Sequence, residues 1–190
     1  MASIKQSDWE NRYSDQNGLS VRPAGKLLVD NLSLLTVGRS LDIACGEGRN
    51  SIFLAKKGYH VDAVDYSSNA IKNGRILSDE AGVKVNFMQA DLEEYLIRPN
   101  YYDLIVNFNY LDRSIIPGIK NGLKKSGFIV FETFTIEQKF FGHPKNPDYL
   151  LAPNELLSMF DEFHIIYYRE AVVEEEGKKK AIASLVASKK

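Results

Sequence analysis

One cysteine, Cys45, stands in a chain of 190 residues. A lone thiol excludes an intrachain disulfide framework and a cysteine-based structural zinc site. Charge of one sign is equally scarce, since 24 basic and 25 acidic side chains leave a net charge of −1. That balance supplies no global field for nucleic acid or an anionic membrane, and only a local basic patch is left open. The long charge run "EEEGKKK", 174–180, cancels itself and reads as a solvated hairpin tip. No apolar stretch reaches membrane-spanning length, and the opening "MASIKQSDWENRY" lacks the apolar core of a signal peptide. A reducing cytoplasm is the expected setting, with no membrane and no nucleic acid as partner. Internal repeats and low-complexity linkers are missing as well.

What is present is the composition of an ordinary folded domain, 44% apolar and 26% charged. Short apolar runs alternate with helical patterns, the signature of a parallel sheet flanked by helices. The runs are Ser40–Cys45, "HVDAVD", "KVNFMQAD", "YYDLIVNFN" and "GFIVFETF". Between them lie "RNSIFLAKK", ending at Gly58, then "SSNAIKNGRILSDEAG", capped by Ser67 or Ser68, and "SIIPGIKNGLKK" with Pro117 in its first turn. A turn or weak helix is expected in "LEEYLIRP". After a short helix "NELLSMF", the strands "FHIIYYREAVVE" and "KAIASLVASK" form an antiparallel hairpin. The fold class is therefore α/β: a Rossmann-like, doubly wound, mostly parallel seven-stranded sheet whose C-terminal hairpin contributes the antiparallel strand. A single domain over 1–190 is expected, with a helical cap over 1–37 and a Rossmann-like core over 38–190. "SDWENRY" opens one cap helix at Ser7, and "RPAGKLLVDNLSLL" forms a second with Pro23 near its start. The segment 135–153 is long for a connection inside a compact domain, and such loops are often functional covers.

The chemistry gathers at "SLDIACGEGRN", Ser40–Asn50, where two glycines follow a strand and a carboxylate lies on either side of Gly46. A P-loop needs a lysine for phosphate, and none follows Gly48 before Lys56. A dinucleotide site wants a third glycine where Ser51 stands, and Asp42 and Glu47 would set negative charge beside a pyrophosphate. S-adenosylmethionine, a cation with a ribose and no phosphate, suits the acids better. On this reading Asp42 lies near the ammonium, directly or through water, and the backbone around Gly46 approaches the methionine part. Asp65 closes the second strand nineteen residues after Gly46, placed to accept both ribose hydroxyls. Asp91 closes the third and faces the adenine amine, with the Leu92 N–H toward the ring. Successive strand ends meet in the crevice where doubly wound sheets bind ligands. Each aspartate also has a plainer reading as a turn or helix-capping acid.

With these residues in view, "LDIACGEGRNSIFLA", "VDAVDYS" and "MQADLEEY" resemble the successive motifs of class I S-adenosylmethionine-dependent methyltransferases. Within that family "GEGRNSIFLA" is similar to the bacterial tellurite-resistance methyltransferase group, and "ETFTIEQKFFGHPKNPDYLLAPNELL" looks like segments of small bacterial relatives. The resemblance covers about residues 38–188. It implies a cofactor site made by Asp42, Ala44, Gly46, Gly48, Asn50, Asp65, Tyr66, Asp91, Leu92 and Asn107, the last with its backbone facing the methyl donor. S-adenosylhomocysteine is the implied product, a small molecule the implied acceptor, and no metal is implied. Two positions depart from the family pattern: Ala44 stands where glycine is usual, and Asp112 in "NYLDRS" where some relatives carry histidine.

Methyl transfer from a sulfonium is an in-line displacement, so alignment and desolvation supply much of the acceleration. A soft acceptor such as a thiolate or a tellurite-derived anion needs no strong base, whereas oxygen and nitrogen acceptors often do. No catalytic group is identified. Candidates facing the acceptor are Tyr110, Asp112, Arg113, Thr133, Phe141 and His143, together with Trp9 and Tyr13. The plainer readings are a surface salt bridge for Arg113, a solvated loop for His143, and helix packing for Trp9 and Tyr13. Cys45 reads as a small buried hydrophobe. Two other functions stay open: a nicotinamide-dependent oxidoreductase using the same bend, and a cofactor-binding module without turnover.

Overall fold

Runs such as "DLIVNF" are apolar at consecutive positions, which suits a strand covered on both faces. The computed structural model, which describes residues 6–14, 19–175 and 177–190, buries them that way. Its strands are β1 (Arg39–Ile43), β2 (His60–Asp65), β3 (Val85–Gln89), β4 (Tyr102–Phe108), β5 (Leu123–Phe134), β6 (His164–Glu175) and β7 (Lys178–Ser188). Its helices are α1 (Gln6–Arg12), α2 (Lys26–Asn31), α3 (Arg49–Lys56), α4 (Ser68–Glu80), α5 (Ile116–Gly122) and α6 (Glu155–Met159). The strands form one sheet in the order β3-β2-β1-β4-β5-β7-β6. All neighbours from β3 to β5 are parallel, while β7 runs antiparallel to both β5 and β6. The expected sheet with one reversed strand is the observed one.

Alternate residues of the same strands enter opposite layers. Leu41, Ile43, Ile105, Ile129, Phe131 and Leu185 pack with Ile116 and Ile119 of α5 and with Leu156 and Phe160 at α6. Leu104, Val106, Val130 and Val186 pack on the other side with Leu27 and Leu28 of α2 and Leu54 of α3. A third group, Cys45, Ala63, Ile71 and Phe87, joins α4 to the sheet beneath the glycine bend. Burying one such side chain stabilises the fold by about 1.5–3 kcal/mol, so both layers are needed to hold the central strands. Strand order reverses between β2-β1 and β1-β4, and doubly wound sheets bind their ligands at the carboxyl ends of the strands beside such a reversal, here β1 and β4.

Two expected boundaries move. The helix expected through Lys125 stops at Gly122, and β5 begins at Leu123. Lys124 instead reaches the Asp103 carboxylate at 2.8 and 2.9 Å, and the register slips between Tyr102↔Leu123 and Leu104↔Phe128. Ser126 absorbs the slip with φ 62°, which makes "KKSG" a bulge rather than a helix end. The second cap helix starts at Lys26 and not at Pro23, because the Gly25 N–H donates to Asn50 Oδ1 at 2.8 Å and sets the start there. Among the described residues, no helix is long and apolar enough to cross a membrane.

Candidate active site

The glycine bend joins β1 to α3 through three residues with left-handed backbone: Ala44 (φ 51°), Gly46 (φ 55°) and Gly48 (φ 78°). A Cβ on Gly48 would lie 2.6 Å from the Phe87 ring, so glycine is needed there for space as well as for φ. The Gly46 N–H donates to Asp65 Oδ2 at 2.7 Å, and the Ser67 N–H donates to Asp65 Oδ1 at 2.9 Å. One carboxylate thus ties the end of β2 to the bend and to the turn before α4. Burial raises the Asp65 carboxyl above its ordinary range, opposed by the N–H groups of Ser67, Gly46 and Tyr66. A carboxylate offers about four lone-pair sites, so two remain beyond these two bonds.

Asp42 has a different part. It is 1% exposed, accepts from Ser51 Oγ at 2.5 Å, and lies below the bend against α3. Burial pushes its pKa up to about 7, with the Ser51 hydroxyl and the Arg49 charge acting the other way. Glu47, the second acid of the bend, is shared between Asn73 Nδ2 at 3.1 Å and Arg22 at 3.5 Å. Asn50 is buried and occupied by the Gly25 N–H. Tyr66 is half-buried, and its carbonyl accepts from Gln89 Nε2. Asp91 lies exposed just past β3, where its carboxylate accepts the Glu93 N–H, while the Leu92 side chain is buried in the core.

At the carboxyl end of β4, Asn107 is fully buried, and its Nδ2 donates to the Tyr110 carbonyl at 2.8 Å. That bond fixes the amide, and Asn107 Oδ1 finds no hydrogen-bond partner among the described residues. The same holds for the buried Thr133 hydroxyl at the end of β5. Burial, then the Asp112 charge, pushes the Tyr110 hydroxyl well above the ordinary phenol range. Asp112 itself accepts from the N–H and hydroxyl of Ser114.

The structure uses Arg113 inside the protein. Its guanidinium donates to both Glu155 oxygens, at 2.6 and 2.9 Å, and to the carbonyls of Asp148 and Leu150. The segment 135–153 is held further by Gln138, which donates to the His143 carbonyl and accepts the Ala181 N–H. His143 and Phe141 are exposed on this segment, as is Phe140, at 74%. The N-terminal candidates lie on the opposite flank. Tyr13 sits over the bend, its hydroxyl 3.0 Å from where a Gly46 Cβ would be, while the half-buried Trp9 ring stacks with the Arg12 guanidinium at 5.3 Å. Sequence reasoning missed Glu10, Arg22 and Asn73, which join this segment to the site across 25 or more residues of chain. Only the Ser67 cap signal pointed toward one of their partners.

The seven-stranded sheet, with β7 antiparallel to both neighbours, is that of the Rossmann-like methyltransferase fold. More particularly, the family described as "Tellurite resistance protein TehB" matches residues 8–181, and the chain belongs to that family. A curated relative from Haemophilus influenzae (strain KW20 / Rd), "Probable S-adenosyl-L-methionine-dependent methyltransferase TehB", is 26% identical over 176 residues, covering 86% of this chain. The chain spans 61% of that relative's length. A "Ubiquinone biosynthesis O-methyltransferase" from Marinobacter nauticus is 27% identical over 144 residues, covering 71% of this chain and 60% of the relative. The crystal structure of TehB from Haemophilus influenzae superposes with a TM-score of 0.77 at 23% identity, covering 98% of this chain and 68% of that one. The [4+2]-cyclase SpnF shares the fold at a TM-score of 0.70 and 16% identity, covering 86% of this chain and 79% of that one. One architecture therefore carries more than one chemistry.

Proposed function

We propose that the chain is an S-adenosylmethionine-dependent methyltransferase acting on a small molecule, with residues 1–37 as a cap on a core over 38–190. The observation that carries this reading is the Asp65 carboxylate, set at the strand-order reversal with lone pairs to spare for a ribose diol. The left-handed bend at Gly46 and Gly48 lets backbone come close to a ligand, and no lysine stands there for phosphate. Bound there, S-adenosylmethionine would supply an electrophilic methyl group on a sulfonium.

The chain's own part is holding and orientation. Asp65 would take the ribose and Gly46 with Gly48 the methionine portion, while Asp42 supports the bend from below instead of meeting the ammonium directly. Asp91 and the Leu92 backbone are kept as the adenine side, and Asn107 as the residue beside the methyl donor. Its free Oδ1 and the Thr133 hydroxyl are polar atoms that a bound ligand could engage. Tyr110 keeps its proton at neutral pH, and Asp112 is occupied by Ser114. Neither is poised as a strong base, which favours a soft acceptor, such as a thiol or a tellurite-derived anion, over an alcohol. The expected cytoplasmic setting fits such acceptors.

Titration calorimetry with S-adenosylhomocysteine is the direct test, and heat of binding is the expected result. Asp65→Ala should weaken that binding by about 1–3 kcal/mol, the usual worth of hydrogen bonds to a charged group. No binding to the wild-type protein would overturn the cofactor assignment, and NADH binding in its place would favour the oxidoreductase. Methyl release assayed over thiols, tellurite, selenite and small phenols then separates an enzyme from a module without turnover.

A further inference from the structure

Among the described residues, helix α1 is bonded to the rest of the protein by the Glu10 side chain, which the site described above does not use. Glu10 Oε1 accepts the Ser68 N–H at 2.8 Å, and Oε2 accepts the Ser67 hydroxyl at 2.9 Å and the Asn69 N–H at 3.0 Å. Asn69 Nδ2 returns a bond to the Glu10 carbonyl at 3.0 Å. One turn further along α4, Asn73 Nδ2 donates to the Tyr13 carbonyl and to Glu47, both at 3.1 Å. The first N–H groups of a helix have no partner within it, and here a carboxylate 58 and 59 residues away accepts those of Ser68 and Asn69. Ser67 still caps locally, its hydroxyl accepting the Ala70 N–H, so α4 does not depend on Glu10 for its start.

Burial would raise the Glu10 carboxyl, but the Asn69 and Ser68 N–H groups and the Ser67 and Ser68 hydroxyls hold it at about 2. It is therefore ionised throughout the range in which the protein would work. The consequence lies three residues on. Docking α1 on α4 puts the Tyr13 ring over Gly46 and near the Asp65 charge, across the mouth of the cofactor crevice.

We propose that Glu10 is a positioning residue for the cofactor: it latches α1 onto α4, the latched α1 roofs the glycine bend with Tyr13, and release of bound cofactor requires the latch to open. This rests on the S-adenosylmethionine reading of the crevice. Its mark is kinetic. A latch that closes over bound ligand slows release more than it speeds capture, so losing it raises the dissociation rate while association changes little.

The protein carries its own probe, since Trp9, its one tryptophan, sits on α1 beside Glu10. Stopped-flow tryptophan fluorescence with S-adenosylhomocysteine should show dissociation from Glu10→Ala faster by about tenfold or more, with the association rate within about twofold. Acrylamide should quench Trp9 more readily in ligand-free Glu10→Ala than in the wild type. Asn69→Ala, which removes only the return bond, should show the same pattern more weakly, and it carries the test if Glu10→Ala fails to fold. Equal dissociation rates in wild type and variants would overturn the latch while leaving the cofactor reading intact. Wild-type protein that binds no S-adenosylhomocysteine would overturn the cofactor reading and the proposal with it. A lower melting temperature with unchanged dissociation would mark Glu10 as merely structural.

Discussion

Two segments flank the crevice, and they are fastened by different physics. The N-terminal segment is held by polar bonds from Glu10, Asn73 and Arg22, and none of residues 9–14 is buried. The segment 135–153 has the Arg113 fork, but it also sinks Leu150 and Leu151 into the core at 2% and 0% exposure. Its backbone joins the sheet as well, the Thr135 N–H donating to the Ala181 carbonyl of β7 at 3.0 Å and the Leu151 N–H to the Phe134 carbonyl of β5 at 2.9 Å. Polar bonds at a surface exchange with water at small net cost, whereas extracting buried leucines opens the core. The first segment is built to come off; the second is part of the fold.

The strongest way to break this contrast is to attack each anchor and measure urea unfolding. Leu151→Ala should cost about 2–5 kcal/mol, the usual range for a fully buried leucine. Glu10→Ala should cost no more than about 1 kcal/mol, because α4 keeps its Ser67 cap. Comparable losses would mean that the N-terminal segment is integral too.

Arg113→Ala comes next. It removes a two-pronged contact to Glu155 and two carbonyl bonds, but the side chain is 44% exposed and water replaces part of what is lost. The expected loss is about 1–2 kcal/mol, with S-adenosylhomocysteine affinity nearly unchanged. A large loss of cofactor affinity instead would show that the Arg113 contacts also shape the cofactor crevice.

Much of this was legible locally. The strands show themselves as apolar runs, and Asp42, Gly46, Gly48 and Asp65 as acids and glycines at fixed places relative to those runs. What stayed hidden depends on partners far along the chain. Nothing near Glu10 indicates that its donors begin 57 residues later, and nothing near Arg113 names Glu155, 42 residues on, as its salt-bridge partner. The bulge at Ser126 was hidden for the same reason, since Lys124 leaves its helical pattern for Asp103. For Asp42, residue type alone does not say that its carboxylate turns to Ser51 of α3 and is buried there.

That buried acid gives a test of the floor beneath both segments. Its folded pKa of about 7 lies above the ordinary aspartate value of 3.8, so the folded state holds a proton that the unfolded chain has released. Its contribution is therefore fully present below about pH 4 and is lost as pH rises through about 7, by at most about 1.4 kcal/mol per pH unit. Asp42→Asn should flatten this part of the stability profile between about pH 4 and about pH 7, in the manner of a permanently protonated acid. The raised pKa of Asp65 acts in the same direction, so some slope should remain. An unaltered profile in Asp42→Asn would place the coupling elsewhere.

Ala44 offers the smallest effect and the cleanest control. Its φ of 51° is a conformation that costs an L-residue about 1–2 kcal/mol and glycine almost nothing, while glycine gives back about 0.5–1 kcal/mol in chain entropy. Ala44→Gly should therefore raise unfolding stability by about 0.5–1 kcal/mol. Neither the N-terminal latch nor the Arg113 fork touches Ala44 in the bonds described, so the gain should be the same in Glu10→Ala and Arg113→Ala backgrounds. The Ala44 methyl does pack against the core layer that holds Ile43 and Leu92. If Ala44→Gly lowers stability, that packing outweighs the backbone strain.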